Sequence, residues 1–251
     1  MLHFETLGVG PSVTFVHGFT QTGKSWLPVI NQLCDTYTCT TVDAPGHGES
    51  PDGTMSLKSA GDAIAATMQP GTLVGYSMGA RMALHAALQH PDIVTRLVLV
   101  SGTAGIDDPE ERSARIVSDE KLADHIEEVG VEVFLHEWLS NPLFAGLSEE
   151  KAQLLDRQRN SAQGLANSLR FSGTGTQTPL WDQLAKLDIP VLLVAGNLDP
   201  KFVALAERMH SLVRSSTLKI VEGSGHTVHL EQTDMFCDIL HSWLRATDSR
   251  Q

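Results

Sequence analysis

The chain of 251 residues has few basic residues, few cysteines and no long apolar run. Its 18 Lys and Arg stand against 30 Asp and Glu, which gives a formal net charge of −12. This balance argues against nucleic acid and against an anionic membrane surface as partners, because both attract fields of positive charge. The three cysteines, Cys34, Cys39 and Cys237, form no CxxC pair, so we expect neither a disulfide framework nor a catalytic thiol.

The start of the chain has no basic segment followed by an apolar stretch, and no apolar run approaches the ~18 residues of a membrane span. We therefore expect a cytoplasmic protein. Hydrophobic residues at 41% and charged residues at 19% are typical of a folded globular chain, and this length allows one large α/β domain or two small ones. No pattern in the sequence indicates an oligomeric state.

Short apolar runs rich in β-branched residues predict the strands of a buried parallel sheet. These runs are 12–17, 38–43, 72–76, 96–100, 190–195 and 218–221. Helical spacing of apolar residues lies between them, at 59–68, 78–90, 202–213 and 234–245. The alternation predicts an α/β fold with a mostly parallel sheet that helices cover on both faces.

One stretch, residues 103–187, has no convincing strand and several helical patterns. We predict that it is a helical cap, inserted into an α/β core formed by 1–102 and 188–251. Such a cap would cover the carboxyl edge of the sheet, where open α/β sheets bind their ligands.

A G-x-S-x-G motif, Gly75 to Gly79, lies between a predicted strand and a predicted helix. In that context the serine sits on a sharp, strained turn that projects its hydroxyl above the sheet, and the small flanking residues prevent collisions. Ser77 is therefore the predicted nucleophile or base. The backbone N–H of Met78, at the start of the helix, is one predicted oxyanion donor. The other is Phe19, in the loop after the first buried strand, whereas His17 is expected only to hold that loop.

Asp199 and His226 follow the fifth and sixth predicted strands and complete a Ser-Asp-His order. An aspartate at this point can fix the tautomer of a catalytic histidine, but it can also cap the helix that begins near Lys201. His229 is a nearby alternative to His226, which we prefer because glycines flank it in the loop.

These motifs, together with the stretch Asp43-Ala44-Pro45-Gly46-His47-Gly48-Glu49-Ser50, resemble the α/β-hydrolase superfamily over most of the chain. The resemblance implies the α/β-hydrolase fold and a Ser77–Asp199–His226 triad. The 43–50 stretch is a structural turn in that superfamily, and we assign it no chemistry.

Arg81 follows Ser77 by one helical turn, so it lies on the same face of that helix. A buried guanidinium is costly without a partner, and an anionic substrate would supply one. A salt bridge to a neighbouring acid is the structural alternative. An acidic protein could thus hold a locally basic pocket, since a pocket responds to the few charges that point into it.

The cap segments 112–119, 137–144, 157–160 and 169–181, with 75–81, resemble the 2-succinyl-6-hydroxy-2,4-cyclohexadiene-1-carboxylate synthase family of menaquinone biosynthesis. That resemblance implies that Arg81, Arg115 and Arg159 hold substrate carboxylates and that Tyr76 and Trp138 line the pocket. Arg112 and Arg157 compete with Arg115 and Arg159 for these roles.

The resemblance also implies a lyase that eliminates pyruvate from a small anionic polycarboxylate by proton abstraction, without a metal or organic cofactor. No metal-binding spacing such as HExxH occurs among the 11 histidines. Two alternatives stay open: a serine carboxylesterase or carbon–carbon-bond hydrolase that acts through an acyl-enzyme, and a binding protein with a vestigial triad.

Overall fold

Within residues 1–51 and 53–248, which a computed structural model describes, seven strands form one sheet. The strands are β1 (Phe4–Leu7), β2 (Ser12–Val16), β3 (Thr38–Val42), β4 (Gly71–Tyr76), β5 (Val94–Val100), β6 (Val191–Gly196) and β7 (Ser216–Val221). Their order is β1-β3-β2-β4-β5-β6-β7, and every neighbouring pair is parallel except β1 with β3. The predicted α/β fold and all six predicted strands are confirmed.

The edge strand β1 is the strand that the sequence did not reveal. All four of its residues are exposed, so it lacks the buried apolar run by which the other strands were recognised. The central strand β4 shows the opposite pattern, since its six residues are all buried. Consecutive residues Leu73 and Val74 belong to two separate hydrophobic cores, one on each face of the sheet.

Helices cover both faces. They are α1 (Leu27–Leu33), α2 (Leu57–Ala65), α3 (Met78–Gln89), α4 (Pro109–Leu139), α5 (Glu149–Ala152), α6 (Leu154–Arg157), α7 (Ala162–Ser172), α8 (Pro200–Leu212), α9 (Val228–Glu231) and α10 (Thr233–Asp248). Short 3₁₀ turns occupy Gly23–Trp26, Pro142–Phe144 and Trp181–Lys186. Among the helices of the described residues, none combines the length and apolar character that crossing a membrane requires.

Helices α4 to α7 all lie between β5 and β6 in the chain, in the stretch predicted as a cap. Helix α4 is interrupted at Gly130, whose φ of 78° breaks it into two helical segments. Its inner face packs on α7 through a small separate core that includes Ile126, Phe134 and Leu165. The division of the chain into a core and a cap remains our interpretation of this order of elements.

The three cysteines are free thiols. Burial raises the pKa of Cys39 and of Cys237 to about 12, which keeps both thiols protonated and unreactive at neutral pH.

Candidate active site

The turn from β4 to α3 presents Ser77 above the sheet. Ser77 has φ 52° and ψ −106°, a conformation that residues with a side chain rarely adopt. A Cβ at Gly75 would collide with the carbonyl oxygen of Gly79, and a Cβ at Gly79 would collide with that of Val16. The two glycines of the motif are therefore required by close backbone packing.

The structure brings Ser77, His226 and Asp199 into one hydrogen-bonded row. The Ser77 hydroxyl donates to Nε2 of His226 at 3.0 Å, and Nδ1 of His226 donates to Oδ2 of Asp199 at 2.7 Å. The second carboxylate oxygen of Asp199 accepts the N–H of Phe202 at 3.3 Å and caps α8. Asp199 therefore both accepts a hydrogen bond from His226 and caps α8, the two alternatives that the sequence left open.

His229, the alternative to His226, lies away from this row. Its ring stacks on Trp26 with 4.1 Å between ring centroids, and it is fully buried. Within the described part of the chain, neither of its ring nitrogens has a hydrogen-bond partner. Burial holds the pKa of His229 well below its usual value, so the ring is neutral.

A buried carboxylate holds the loop that carries His226. Glu231 accepts the N–H of Gly225 at 2.7 Å and the N–H of Thr227 at 2.8 Å, one on each side of the histidine. The hydroxyl of Ser101 donates to the carbonyl oxygen of His226 at 2.7 Å. Glu231 is not among the residues predicted from the sequence; its position five residues after the histidine, one turn of helix beyond Thr227, is the local signal that points to it.

The two predicted oxyanion donors lie at the wall of the same cavity. Met78 begins α3, where free N–H groups point toward the serine, and Phe19 lies in the loop after β2. His17 supports this loop: its Nδ1 donates to the Gly18 carbonyl at 2.8 Å, and its Nε2 accepts the N–H of Ala44 at 2.9 Å. Burial lowers the pKa of His17, which fits a neutral structural ring.

A cavity of about 720 Å³ opens above the serine. Its wall includes nearly all of the predicted site residues, together with one residue that was only an alternative, Arg157. The lining residues among these are Phe19, Tyr76, Ser77, Met78, Arg81, Arg115, Trp138, Arg157, Asp199 and His226.

Arg81 and Arg115 reach this cavity from α3 and α4. Arg81 is buried and donates to the carbonyl oxygen of Ser172 at 2.7 Å. Burial and the neighbouring Arg115 lower the pKa of Arg81 to about 9, which leaves the guanidinium charged at neutral pH. Arg115 donates from Nε to Oδ1 of Asp119 at 2.7 Å. Arg112, its competitor, instead donates to two carbonyl oxygens near the start of α4 and does not line the cavity.

The structure does not bring Arg159 to the cavity, which corrects our sequence-based choice. Arg159 is exposed and pairs with Glu49 at 2.6 Å and with Asp156 at 3.2 Å. Arg157 is 1% exposed and lies in the cavity wall, where its Nε donates to the Ala152 carbonyl at 2.7 Å. Arg157 is the last residue of α6 and its side chain packs inward, whereas Arg159 lies in the turn that follows the helix and its side chain faces solvent.

Tyr76 and Trp138 complete the wall. The Tyr76 hydroxyl lies 3.1 Å from that of Thr227, and burial raises the pKa of the phenol. Trp138 packs edge-on against Phe19, with 5.3 Å between centroids. Its indole N–H is buried and has no acceptor among the described residues.

Residues 15–239 match the family described as the alpha/beta hydrolase family. A Bacillus subtilis protein provisionally named 2-succinyl-6-hydroxy-2,4-cyclohexadiene-1-carboxylate synthase is 37% identical over 252 residues, which cover 93% of this chain and 90% of that protein. The synthase of the same name from Salmonella newport is 30% identical, with 94% of each chain covered.

Among solved structures, MenH from S. aureus superposes with a TM-score of 0.94 at 30% identity, over 99% of this chain and all of that one. An esterase from Thermogutta terrifontis has a TM-score of 0.80 at 24% identity, over 98% and 93% of the two chains, and supports the fold alone.

Proposed function

Because this chain belongs to the α/β-hydrolase family, and within it to the 2-succinyl-6-hydroxy-2,4-cyclohexadiene-1-carboxylate synthases, we propose that it is a carbon–oxygen lyase of menaquinone biosynthesis. It eliminates pyruvate from 2-succinyl-5-enolpyruvyl-6-hydroxy-3-cyclohexene-1-carboxylate. The product is 2-succinyl-6-hydroxy-2,4-cyclohexadiene-1-carboxylate.

The observation that carries this proposal is the presence of buried arginines, Arg81 and Arg157, in the wall of the cavity around the serine. Arg81, Arg115 and Arg157 all line the cavity that also contains the Ser77 hydroxyl. Arg115 has an anionic partner in Asp119, whereas the buried Arg81 and Arg157 donate to carbonyl and hydroxyl oxygens. A hydrolase of neutral esters gains nothing from two such buried guanidinium groups, because desolvated cations are costly without anionic partners. A substrate with several carboxylates supplies those partners and is oriented by charge-assisted, bidentate hydrogen bonds.

In the proposed reaction, Ser77 acts as the general base. As its oxygen takes the acidic proton next to the substrate ketone, its own proton passes to Nε2 of His226, and Asp199 stabilises the resulting imidazolium. The electrons of the C–H bond form an enolate, whose oxygen accepts hydrogen bonds from the N–H groups of Phe19 and Met78. Collapse of the enolate forms the C2=C3 double bond, shifts the C3=C4 double bond to C4=C5 and breaks the bond between C5 and the enolpyruvyl oxygen. The enolpyruvate that leaves takes up a proton to become pyruvate, and the proton held by His226 balances this step and returns the site to its starting state.

The test follows diene absorbance and pyruvate release together, with wild-type protein, Ser77→Ala and Arg81→Ala. We expect the wild type to form one pyruvate per diene, Ser77→Ala to lose turnover, and Arg81→Ala to show a raised KM. A wild type that forms no diene and releases no pyruvate would reject the proposal.

The hydrogen-bonded row of Ser77, His226 and Asp199 also suits an acyl-enzyme hydrolase. A burst of p-nitrophenol from an activated ester, with Ser77 acylated and no pyruvate released from the pathway substrate, would establish this second candidate.

A further inference from the structure

Thr20 follows the predicted oxyanion donor Phe19 and has an unusual backbone. It is fully buried and has φ 69°, in the left-handed region that β-branched residues avoid. The N–H of Gln21 donates to the Gly18 carbonyl at 3.2 Å, so Thr20 occupies the third position of a turn, where positive φ normally calls for glycine. Strain of this kind persists only where the surroundings enforce it.

Each polar group of Thr20 forms a hydrogen bond with a residue from another part of the chain. Its N–H donates to Nε2 of His47 at 3.3 Å, and its carbonyl oxygen accepts Nδ2 of Asn160 at 2.8 Å. Its hydroxyl accepts a hydrogen bond from the Arg157 guanidinium. Two of these three partners, Asn160 and Arg157, come from the cap segment 157–160.

Asn160 is the centre of this arrangement. Its side chain is buried, and both hydrogens of its amide are used, one on Thr20 and one on the carbonyl oxygen of Arg157 at 2.8 Å. Its Oδ1 accepts the N–H of Gly48 at 2.8 Å. A single amide therefore ties the cap to the oxyanion loop, residues 18–21, and to the turn at 43–50, for which the sequence suggested no role beyond structure.

We propose that Asn160 is a positioning residue that holds the oxyanion loop in its strained form and so directs the Phe19 N–H toward the reacting oxygen. Without this contact, Thr20 relaxes to negative φ, the turn closed by the Gln21 N–H and the Gly18 carbonyl opens, and the Phe19 N–H moves away from the cavity wall. The cap thereby completes the oxyanion site that it covers. This inference takes its substrate from the proposed function, whereas the contacts of Asn160 on which it is built do not depend on that function.

The test compares Asn160→Ala and Asn160→Asp with Asn31→Ala, an exposed asparagine on α1, as the control. Complete loss of one oxyanion donor lowers kcat by about 10²–10³-fold, so a displaced donor is expected to lower kcat by about 10–100-fold with KM within threefold. Asn160→Asp keeps the acceptor for Gly48 but places a carboxylate oxygen against the Thr20 carbonyl, so it should lose at least as much. Either variant with a kcat within twofold of wild type overturns the proposal.

A rescue experiment distinguishes a positioning role of Asn160 from a general contribution to the stability of the protein. Glycine adopts positive φ without strain, so adding Thr20→Gly to Asn160→Ala should raise kcat at least fivefold above Asn160→Ala alone. If the double variant regains no kcat, and Asn160→Ala has lost melting temperature in step with its activity, Asn160 is only structural.

The same variants are assayed on p-nitrophenyl acetate, because ester hydrolysis uses the same oxyanion donors. A wild type that cleaves this ester but releases no pyruvate overturns the proposed function, and the positioning role is then judged on the ester kcat. A wild type that catalyses neither reaction overturns both.

Discussion

Arg157 and Arg159 leave the same short segment of the cap in opposite directions. Arg157 is buried beside the cavity, where it contacts Thr20, whereas Arg159 forms an ion pair of 2.6 Å with Glu49 at the surface. The two residues have the same chemistry and nearly the same place in the chain, so each is a matched control for the other.

We expect Arg157→Met to lower kcat/KM for pyruvate release much more than Arg159→Met. A hydrogen bond to a charged group contributes about 1.5–3 kcal/mol, which corresponds to roughly 10- to 150-fold in kcat/KM. An exposed ion pair contributes about 0–1 kcal/mol, and Arg159 does not face the cavity, so Arg159→Met should stay within about threefold of wild type. Equal losses in the two variants would contradict the placement of the anion site at Arg157.

We expect the Arg81 guanidinium to favour substrate binding while it lowers the stability of the folded protein. Its guanidinium is buried at the cavity, and its one direct hydrogen bond in the described structure is to the Ser172 carbonyl. Replacing a poorly compensated buried charge with an apolar side chain of similar length often stabilises a protein by about 1–4 kcal/mol. We therefore expect Arg81→Met to raise the melting temperature by a few degrees while it raises KM at least tenfold.

Circular dichroism melting and steady-state kinetics on one preparation check both halves of this expectation. Arg214→Met, which changes an exposed arginine between α8 and β7 that does not line the cavity, is the comparison. A less stable Arg81→Met protein would show that protein groups, not a ligand, balance this charge.

The fold could be predicted from the sequence because its buried strands are continuous apolar runs. Edge strand β1 could not, since its residues Phe4–Leu7 are all exposed and pair only at one edge of the sheet. The residues of the hydrogen-bonded row could also be predicted, because Ser77, Asp199 and His226 each lie within a few residues of the end of a predicted strand, close to turn-forming glycine or proline.

The residues that support this row could not be predicted in the same way. The N–H groups that Glu231 accepts are brought together only by the turn around His226, so its spacing after the histidine is a weak local signal. Asn160 supports the oxyanion loop through backbone groups of Thr20 and Gly48 that are remote in the chain, and no local pattern encodes such contacts. The choice between Arg157 and Arg159 depended on the direction of a side chain at the end of the four-residue helix α6. That direction is set by tertiary packing, not by the helical propensity of the segment.

Glu231 should support catalysis without touching the substrate. In Glu231→Gln, one of the two amide N–H groups that flank His226 loses its acceptor and faces the glutamine NH₂ group instead. The His226 ring then shifts from Ser77, so we expect kcat to fall by about tenfold or more while KM changes less than twofold, because positioning acts on the reacting step.

Kinetics and melting curves of Glu231→Gln beside Glu150→Gln, an exposed residue of α5, test this expectation. A changed KM with an unchanged kcat would place Glu231 in substrate binding and not in the support of His226.

His229 should make the protein sensitive to mild acid. The folded chain holds this ring neutral, because burial lowers its pKa well below 6.5, whereas the unfolded chain binds a proton as the pH falls through that value. The unfolded state then binds more protons than the folded state, so the free energy of unfolding decreases as the pH falls below about 6.5. His17 and His47 act in the same direction, and burial lowers the pKa of His47 to about 3.

His229→Phe removes one of these contributions and keeps an aromatic ring on Trp26. Each buried neutral histidine contributes a slope of about 1.4 kcal/mol per pH unit below its unfolded pKa. The free energy of unfolding of His229→Phe, relative to wild type, should therefore rise by about 1 kcal/mol between pH 6 and pH 5. Urea unfolding at several pH values measures this difference. Phe236→Leu, which changes a non-ionisable ring in the same cluster, is the control and should lower the free energy of unfolding equally at every pH. If the free energy of unfolding of His229→Phe likewise differs from wild type by the same amount at every pH, the buried ring is already protonated in the folded state.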